Sequence, residues 1–416
     1  MFLYAFFYFR AMFASTLQLY KKAYTGLSQN TWYLSLVMLI NRSGTMVVPF
    51  MTMYCTLQLG FTILQAGFIM TLFGAGAITG ALIGGRITDR IGFYPMQVAS
   101  LFLGGIMFLV TGYIKTYPLL CISTFVLSLC NESFRPANSA AIAHYSKPEN
   151  RTRSYSLNRL AVNLGWAVGG TLGGFFASIN YHLLFWVDGL TNIFAAFLLL
   201  RLLPPVKSVA KQELQPTTPV KYGAYKDRPY LLFIFLTIFF ASCFFQLFTL
   251  QPLFFKKDWH LTEQTIGLLM ALNGIIIVVI EMIMVYSLEG TRPLMSFISA
   301  GVLLVGIGYS LTNIFPSYIL SAFLLVTIIT FGEILSMPFM NSFWVSRTNE
   351  GNRGQYAAIY TIAWSAAQII APSLGSAIIE QSGFASLWWI DGVVCAVAAY
   401  GFWLLGGYLK KNIDAG

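Results

Sequence analysis

The sequence predicts an all-α membrane protein that crosses the bilayer twelve times. Hydrophobic residues make up 57% of the 416 residues and charged residues only 10%, and the mean hydropathy is +0.70. Because a soluble domain carries about 25% charged residues, we expect most of this surface to face lipid. The apolar segments suit helices of about 20 residues and lack the alternation of membrane β-strands.

The twelve apolar segments fall into two groups of six. In the first group, helices α1 to α6 are predicted at residues 32–58, 65–88, 95–115, 118–146, 155–178 and 183–203. In the second group, helices α7 to α12 are predicted at residues 229–256, 262–288, 292–314, 317–347, 353–380 and 386–409. The segment 204–228 between the groups is rich in proline and charge. It is too polar to span a bilayer, so we expect a cytoplasmic linker there.

The basic residues are distributed unevenly between the two sides of these helices. If both termini are cytoplasmic, then Lys115, Lys256 and Lys257 lie outside, Arg42 and Arg135 lie within helices, and the rest of the 25 are cytoplasmic. This asymmetry follows the positive-inside rule and predicts a multi-pass protein of the inner (cytoplasmic) membrane. It also accounts for the net charge of +10 without a nucleic-acid partner.

Residues 1–31 form an aromatic-rich segment before α1. Lys21 and Lys22 follow its apolar stretch instead of preceding it, and no small-residue cleavage site is evident, which argues against a signal peptide. We expect a cytoplasmic or interfacial segment, with translation starting at Met1 or at Met12.

The two groups of helices repeat each other. Residues 60–74 match residues 260–274 at an offset of 200, and a later Trp-x-Asp-Gly segment recurs at an offset of 203. Six spans, an even number, separate the copies, so the two halves have the same orientation in the membrane. Residues 32–203 and 229–416 are therefore predicted to form two homologous, parallel six-helix bundles.

Five ionisable side chains lie within the predicted helices: Arg42 in α1, Glu132 and Arg135 in α4, Glu281 in α8 and Glu333 in α10. Each costs at least ~2.5 kcal/mol at a helix centre, so such groups usually mark a pathway or a proton relay. Glu132 and Arg135 share a helical face, either as a structural ion pair or as a functional one. A carboxylate in a desolvated cavity can bind and release a proton near neutral pH. We predict that these residues line a substrate cavity and couple it to protons.

Aromatic side chains on the same helices are suited to bind an apolar, aromatic or cationic ligand. The candidates for the cavity wall are Tyr54, Phe134, Trp166, Phe343 and Trp364. Asp188 and Asp391 come early in α6 and α12, where an acid stabilises the positive end of the helix dipole, so a structural role is predicted for both. The cysteines and histidines show no metal-ligand spacing, and neither a metal nor a cofactor is expected.

The loop between α2 and α3 carries a glycine–acid–base motif formed by Gly85, Asp89, Arg90 and Gly92. It resembles the loop signature of the major facilitator superfamily. The glycines permit a tight turn and close helix approach, and the resemblance implies that Asp89 and Arg90 act at a gate. Phe93 and Tyr94 take the positions of two basic residues in that signature, so part of the usual charge network is missing.

Helix α5 carries a second motif, formed by Gly165, Gly169, Gly170, Gly173 and Gly174. It is similar to the glycine motif of the drug:proton antiporter branches of the superfamily, with Gly170 where that motif has proline. Such glycines let helices of the two halves approach closely and bend, as a gate requires. Small-residue packing with no bearing on the direction of transport is the alternative.

Helices α1 and α10 extend the resemblance to the drug:proton antiporter-1 branch. They are also similar to the corresponding helices of proton-coupled oligopeptide transporters, which have a basic residue in α1 and a Gly-Glu-Leu in α10. There the equivalents of Arg42 and Glu333 are associated with the carboxylate and the amino end of the peptide. Asn41 stands where that family has an acid before the arginine, which argues against peptide transport.

The resemblance implies a major facilitator fold and proton-coupled efflux of small amphipathic or drug-like compounds by alternating access. Proton-coupled uptake of peptides or organic anions is one alternative, and a non-transporting membrane sensor is another. No nucleophile–base pair or phosphate-binding loop indicates an enzyme. The expected partners are a small-molecule substrate, protons and the lipid bilayer, without nucleic acid. We expect a monomer that uses the proton gradient as its energy source.

Overall fold

The structure is a computed structural model that describes residues 26–147, 150–205, 224–288, 290–348 and 353–414. Most of the predicted terminal segment 1–31 and of the linker 204–228 lies outside these residues. In the described residues the chain is helical and has no strand. The first observed helix begins at Gln29, inside the predicted terminal segment.

The helices of the first half follow the predicted order. Helix α1 consists of Gln29–Ser43 and Val47–Met53, followed by the π-helical turn Tyr54–Gln58. Helices α2 and α3 span Ile63–Ile91 and Phe93–Tyr113, and α4 consists of Tyr117–Glu132 and Phe134–Tyr145. Helices α5 and α6 span Arg151–Ile179 and His182–Leu202.

The helices of the second half are arranged in the same way. Helix α7 consists of Arg228–Thr249 and Gln251–Lys257. Helices α8, α9 and α10 span Glu263–Leu288, Leu294–Thr312 and Ile319–Ser346. Helices α11 and α12 form one run, Arg353–Asp414, that is broken at Gly383, where φ is 81°.

The number of apolar helices is consistent with twelve membrane crossings. Ten helical segments of the described residues are long and apolar enough to cross a membrane. One of them, Gln355–Lys411, contains both α11 and α12, and α4 is missing from the ten because Ser133 divides it into two shorter helices.

Helices α1, α4 and α7 are interrupted, although the sequence predicted continuous helices. The first segment of α1 ends at Ser43, α4 is divided at Ser133 and α7 is divided at Leu250. Hydropathy does not reveal such breaks, because the side chain that can satisfy a freed backbone group belongs to a helix that is distant in sequence.

The buried carboxylate of Asp188 satisfies the break in α1. It accepts hydrogen bonds from the backbone N–H groups of Met46 at 3.0 Å and of Val47 at 2.8 Å. The acid therefore stabilises the start of the second α1 segment, whereas the sequence predicted that it stabilises its own helix α6. Asp391 occupies the equivalent position in α12, but one of its carboxylate oxygens has no hydrogen-bond partner among the described residues.

The two bundles, α1–α6 and α7–α12, meet along two seams. Helix α5 runs along α8 in one seam and α2 runs along α11 in the other, and the ends of α1 and α7 also touch. We call the side of the bundles where α6 ends and α7 begins the linker face, and the other side the opposite face. Neighbouring helices within each bundle pack closely, and the larger apolar core cluster contains residues of both bundles.

At the linker face, Asp227 holds the start of α7 to the end of α10. Its side chain accepts from the Tyr230 backbone N–H at 3.1 Å and forms a two-point ion pair with Arg347 at 2.7 and 2.8 Å. Burial alone would raise the pKa of Asp227, but the hydrogen bonds from Arg347 and Tyr356 bring it below its ordinary value. This ion pair lies wholly within the second bundle.

Candidate functional site

A cavity of about 920 Å³ lies between the two bundles. Residues of both bundles form its wall, and Ser139, Tyr155 and Arg159 carry the wall toward the linker face, where α4 ends and α5 begins. Toward the opposite face the seams are closed. The Thr71 hydroxyl of α2, for example, lies 2.5 Å from the Ser373 hydroxyl of α11. The cavity therefore opens toward the linker face.

Glu132 is the centre of the charged cluster in the first bundle. Its carboxylate lies 3.7 Å from the Arg42 guanidinium and 3.4 Å from that of Arg135. All three residues line the cavity. The Arg135 side chain is 68% exposed, whereas those of Arg42 and Glu132 are each 11% exposed. The sequence does not show which residue pairs with Arg42; in the structure Arg42 of α1 forms an ion pair with Glu132 of α4.

Glu333 of α10 lines the cavity from the second bundle. The amide nitrogen of Asn273 donates a hydrogen bond to its carboxylate at 3.0 Å and another to the Thr330 hydroxyl at 2.9 Å. Glu333 thus has a neutral partner where Glu132 has two cations. Sequence reasoning missed Asn273, for which the available signal was a single polar residue within the apolar stretch of α8.

Glu281 of α8 is buried beside the cavity and pairs with Arg159 of α5. Arg159 lines the cavity, and its side chain is 51% exposed. The sequence placed Glu281 among the site residues but counted Arg159 with the cytoplasmic charges. The missed signal was that Arg159 lies inside the predicted span of α5.

The aromatic wall differs from the predicted one. Of the five candidates, Trp166 lines the described cavity, and the other four do not. Tyr54 packs against Phe185, Phe134 is buried in the core of the first bundle, and Phe343 and Trp364 pack among aromatic neighbours in the second. Hydropathy places a residue in a helix but does not tell a cavity face from a packing face.

Helix α7 supplies further aromatic side chains to the cavity wall. Phe244, Phe245 and Phe248 line the cavity, with the Phe248 ring 5.6 Å from the Trp166 ring. Trp166 belongs to the first bundle and Phe248 to the second, so the apolar wall is shared by both bundles. A ligand in contact with this wall touches both halves of the molecule.

The glycines of α5 form two faces. Gly165, Gly169 and Gly173 face α1, and a Cβ at Gly165 would lie 2.5 Å from the Arg42 Cβ. Gly170 and Gly174 face α8 of the other bundle, and a Cβ at Gly170 would lie 2.7 Å from the Met270 Cβ. Two of the five glycines thus contact the other half, as the gate interpretation predicts, and three allow close packing within the first bundle, as the alternative predicts.

The loop signature lies at the linker face, where α2 ends. Gly92 separates α2 from α3 with a φ of 93°, a conformation that favours glycine. Gly85 is not tightly packed, because a Cβ at this position would meet Pro136 at an ordinary contact distance of 3.8 Å. Asp89 and Arg90 are exposed, and their role at a gate stays a prediction.

Among the described residues, no three His, Cys, Asp or Glu side chains lie close enough together to hold a metal ion. The charged and polar side chains of the cavity wall are suited to ion pairing, hydrogen bonding and proton binding.

Comparison with known proteins identifies the family. The family model described as Major Facilitator Superfamily matches residues 33–372. A Na(+), Li(+), K(+)/H(+) antiporter of Planococcus maritimus is 25% identical over 413 residues, which cover 90% of this chain and 95% of the relative. The multidrug resistance protein MdtH of Aeromonas hydrophila is 24% identical, with 78% of this chain and 81% of the relative covered.

The fold is that of solved members of the superfamily. A POT family transporter in complex with 5-aminolevulinic acid superposes with a TM-score of 0.78 at 16% identity, covering 92% of this chain and 97% of that one. This confirms the predicted all-α fold of two parallel six-helix bundles. The chain therefore belongs to the major facilitator superfamily and is a multi-pass secondary transporter of a small-molecule substrate.

Proposed function

We propose that the chain is a proton-coupled antiporter that exports small amphipathic compounds across the inner membrane by alternating access. The observation that carries this proposal is the position of Glu333, a carboxylate in the wall of the cavity with the neutral Asn273 amide as its partner. An ionisable group at membrane depth is expensive and usually serves a proton or substrate pathway.

The two acids of the repeat suit different roles. Glu132 lies between Arg42 and Arg135, so losing its charge would leave two guanidinium groups facing each other. Glu333 is held by an amide, which can donate a hydrogen bond to the ionised acid or to the carbonyl oxygen of the protonated one. We therefore assign proton binding to Glu333 and charge compensation to Glu132.

The wall of the cavity suits an amphipathic ligand. Trp166 and the α7 phenylalanines provide apolar and aromatic surface, and the carboxylate of Glu333 lies in the same cavity. Aromatic faces and an acid together attract organic cations. The names of the relatives, a cation/proton antiporter and a multidrug resistance protein, support the same class of activity.

The positive-inside rule assigns the linker face and both termini to the cytoplasm. The cavity then opens to the cytoplasm, where an exporter loads its substrate. One chain supplies both bundles and the whole described cavity, which supports function as a monomer. The proton gradient is the proposed energy source, and no cofactor is proposed.

The proposal is tested with purified protein in liposomes under an imposed pH gradient, with a fluorescent aromatic cation as the probe. We expect proton influx to drive probe transport in the opposite direction. Glu333→Gln should abolish the gradient-driven transport while binding of the probe to the purified protein continues, because the cavity remains but the proton site is lost. Glu380→Gln, an exposed acid of α11 outside the cavity, is the matched control and should leave transport unchanged. Gradient-driven transport by Glu333→Gln would contradict the assignment.

Proton-driven uptake of a peptide or organic anion is the second candidate, favoured by one observation. The Arg135 and Arg159 side chains are 68% and 51% exposed in the cavity wall, and guanidinium groups bind carboxylates well. In the same liposomes, accumulation of a dipeptide or of benzoate together with inward protons would favour uptake over export. The third expectation, a sensor without transport, predicts no flux of any probe.

A further inference from the structure

An ion pair joins the two bundles near the linker face. Arg159 of α5 pairs with Glu281 of α8, whereas the pairs of Glu132 and of Asp227 each stay within one bundle. Glu281 lies seven residues before the end of α8 at Leu288, or about 10 Å along the helix axis. The pair therefore lies inside the linker-face half of the α5–α8 seam.

The two seams differ in what holds them. Along the α5–α8 seam, toward the opposite face, Gly170 and Gly174 allow backbone-close packing on α8. The α2–α11 seam is closed at Thr71 near the opposite face, but Ala81 and Thr361, nearer the linker face, line the open cavity. Near the linker face the bundles are thus joined along the α5–α8 seam, where Arg159 and Glu281 form an ion pair across it.

The same two charges act on Glu333. Glu281 and Arg159 are the charged groups whose fields reach the Glu333 carboxylate, which Asn273 of α8 also contacts. The other helices packed on α10 bring no further charge: α9 has none over Leu294–Thr312, and α11 has none over residues 354–379. Arg159 is thus a cation of the first bundle that faces two acids of the second.

On the basis of the proposed function, we propose that Arg159 is the positioning residue through which the proton on Glu333 controls the linker face. With Glu333 ionised, two carboxylates attract the guanidinium across the seam, and the linker face is drawn closed. With Glu333 protonated, Glu281 alone remains, and a pair whose arginine is half exposed holds weakly. The linker face then opens.

The direction of this effect, in which protonation of Glu333 opens the linker face, fits an exchange cycle. A proton that binds from the opposite side opens the linker face, where the proton leaves and the substrate enters. The ionised Glu333 then attracts Arg159 again and closes that face behind the substrate. In this scheme Arg159 does not contact the proton, and it need not contact the substrate. It acts by moving one bundle relative to the other.

The test measures the distance across the linker face as a function of pH. Spin labels are placed at Ile91 of α2 and Ala358 of α11, both exposed, in protein whose five buried or half-buried cysteines are replaced. In lipid nanodiscs, we expect the distance distribution to shift to longer values as the pH falls from about 9 to about 5, a range that spans the titration of a buried carboxyl.

Glu333→Gln should give the long distance at every pH, and Arg159→Gln should lose the pH-dependent shift. Arg159→Lys, which keeps the charge, should retain it.

Two further variants separate this role from that of a simple brace. Asp227→Asn removes an ion pair of the same kind inside one bundle and should leave the pH-dependent shift intact. The double exchange Arg159→Glu with Glu281→Arg restores an ion pair across the seam but places the cation in the same bundle as Glu333. A brace would recover the normal shift, and the proposal requires that the shift be lost or reversed.

The outcomes are distinct. A normal pH-dependent shift in Arg159→Gln, or in the double exchange, overturns the role of Arg159 and leaves the proton site intact. A normal shift in Glu333→Gln overturns the proton site itself, and with it the proposed function. Elution of Arg159→Gln as a monodisperse peak shows that this variant has folded, and a retained shift in Arg159→Lys shows that the position tolerates substitution. A lost shift in Arg159→Gln then supports the proposal.

Discussion

At the scale of single residues, Asp188 and Asp391 show how one repeat position acquires two roles. Both are buried and both come from the same Trp-x-Asp-Gly segment. Asp188 accepts three backbone hydrogen bonds from Met46 and Val47, because α1 is broken at that level. Helix α7 is broken further along, at Leu250, so the acid of α12 has no freed N–H group beside it among the described residues.

This difference predicts unequal responses to the same substitution. Asp188→Asn keeps the size of the side chain but removes its charge and one acceptor, and hydrogen bonds to charged groups are worth about 1.5–3 kcal/mol. We expect Asp188→Asn to lower the melting temperature of the detergent-solubilised protein by a clearly measurable amount. Asp391→Asn should change it little, since one carboxylate oxygen there is unpartnered among the described residues. Equal losses in the two variants would show that the hydrogen bonds of Asp188 at the α1 break add no stability beyond what Asp391 contributes.

At the scale of helices, α5 joins the bundles through its two glycine faces. Gly165, Gly169 and Gly173 bring α1 close within the first bundle, and Gly170 and Gly174 bring α8 close across the seam. The four-residue spacing within each face follows from the helical repeat. A single helix therefore carries both the wall of the cavity beside Arg42 and the contact with the other bundle.

The glycine faces predict which small substitutions are harmful. A Cβ at Gly174 would collide with the Glu263 backbone carbonyl of α8, and overpacking of this kind costs about 1–3 kcal/mol. We expect Gly174→Ala to lower the melting temperature. Gly85→Ala, which meets no atom closer than 3.8 Å, should hold or raise it, because alanine favours a helix over glycine by about 1 kcal/mol. A lower melting temperature for Gly85→Ala than for Gly174→Ala would contradict this account.

The helices and their order could be predicted from the sequence, because long apolar segments and a repeat at offsets near 200 are visible without a structure. The breaks in α1, α4 and α7 could not, since the partner of a freed backbone group, such as Asp188, is distant in sequence. For the same reason the pairing of Arg42 with Glu132 was invisible. Four of the five predicted cavity aromatics lie outside the described cavity, because composition does not show which side of a helix faces a cavity. Arg159 was missed because it was assigned to the cytoplasm.

At the scale of the whole molecule, the two bundles meet along seams that are closed toward the opposite face and separated around the cavity toward the linker face. The charged groups that the structure describes at the cavity belong to both bundles. Arg42, Arg135 and Glu132 come from the first bundle, and Glu281 and Glu333 from the second, with Arg159 reaching across between them. Among the described residues, three cations therefore face three acids.

This balance has an electrical consequence. With every acid ionised, the formal charges of the six side chains sum to zero, and one proton on Glu333 gives them a net charge of +1. The membrane voltage therefore acts on the proton-loaded carrier, at about 2.3 kcal/mol per 100 mV for one elementary charge, and not on the deprotonated carrier with a neutral substrate. In liposomes with a potassium-set potential, proton entry should accelerate with a negative interior, and exchange of a neutral substrate at alkaline pH should not respond. A voltage response of that exchange would mean that the cavity carries a net charge without its proton.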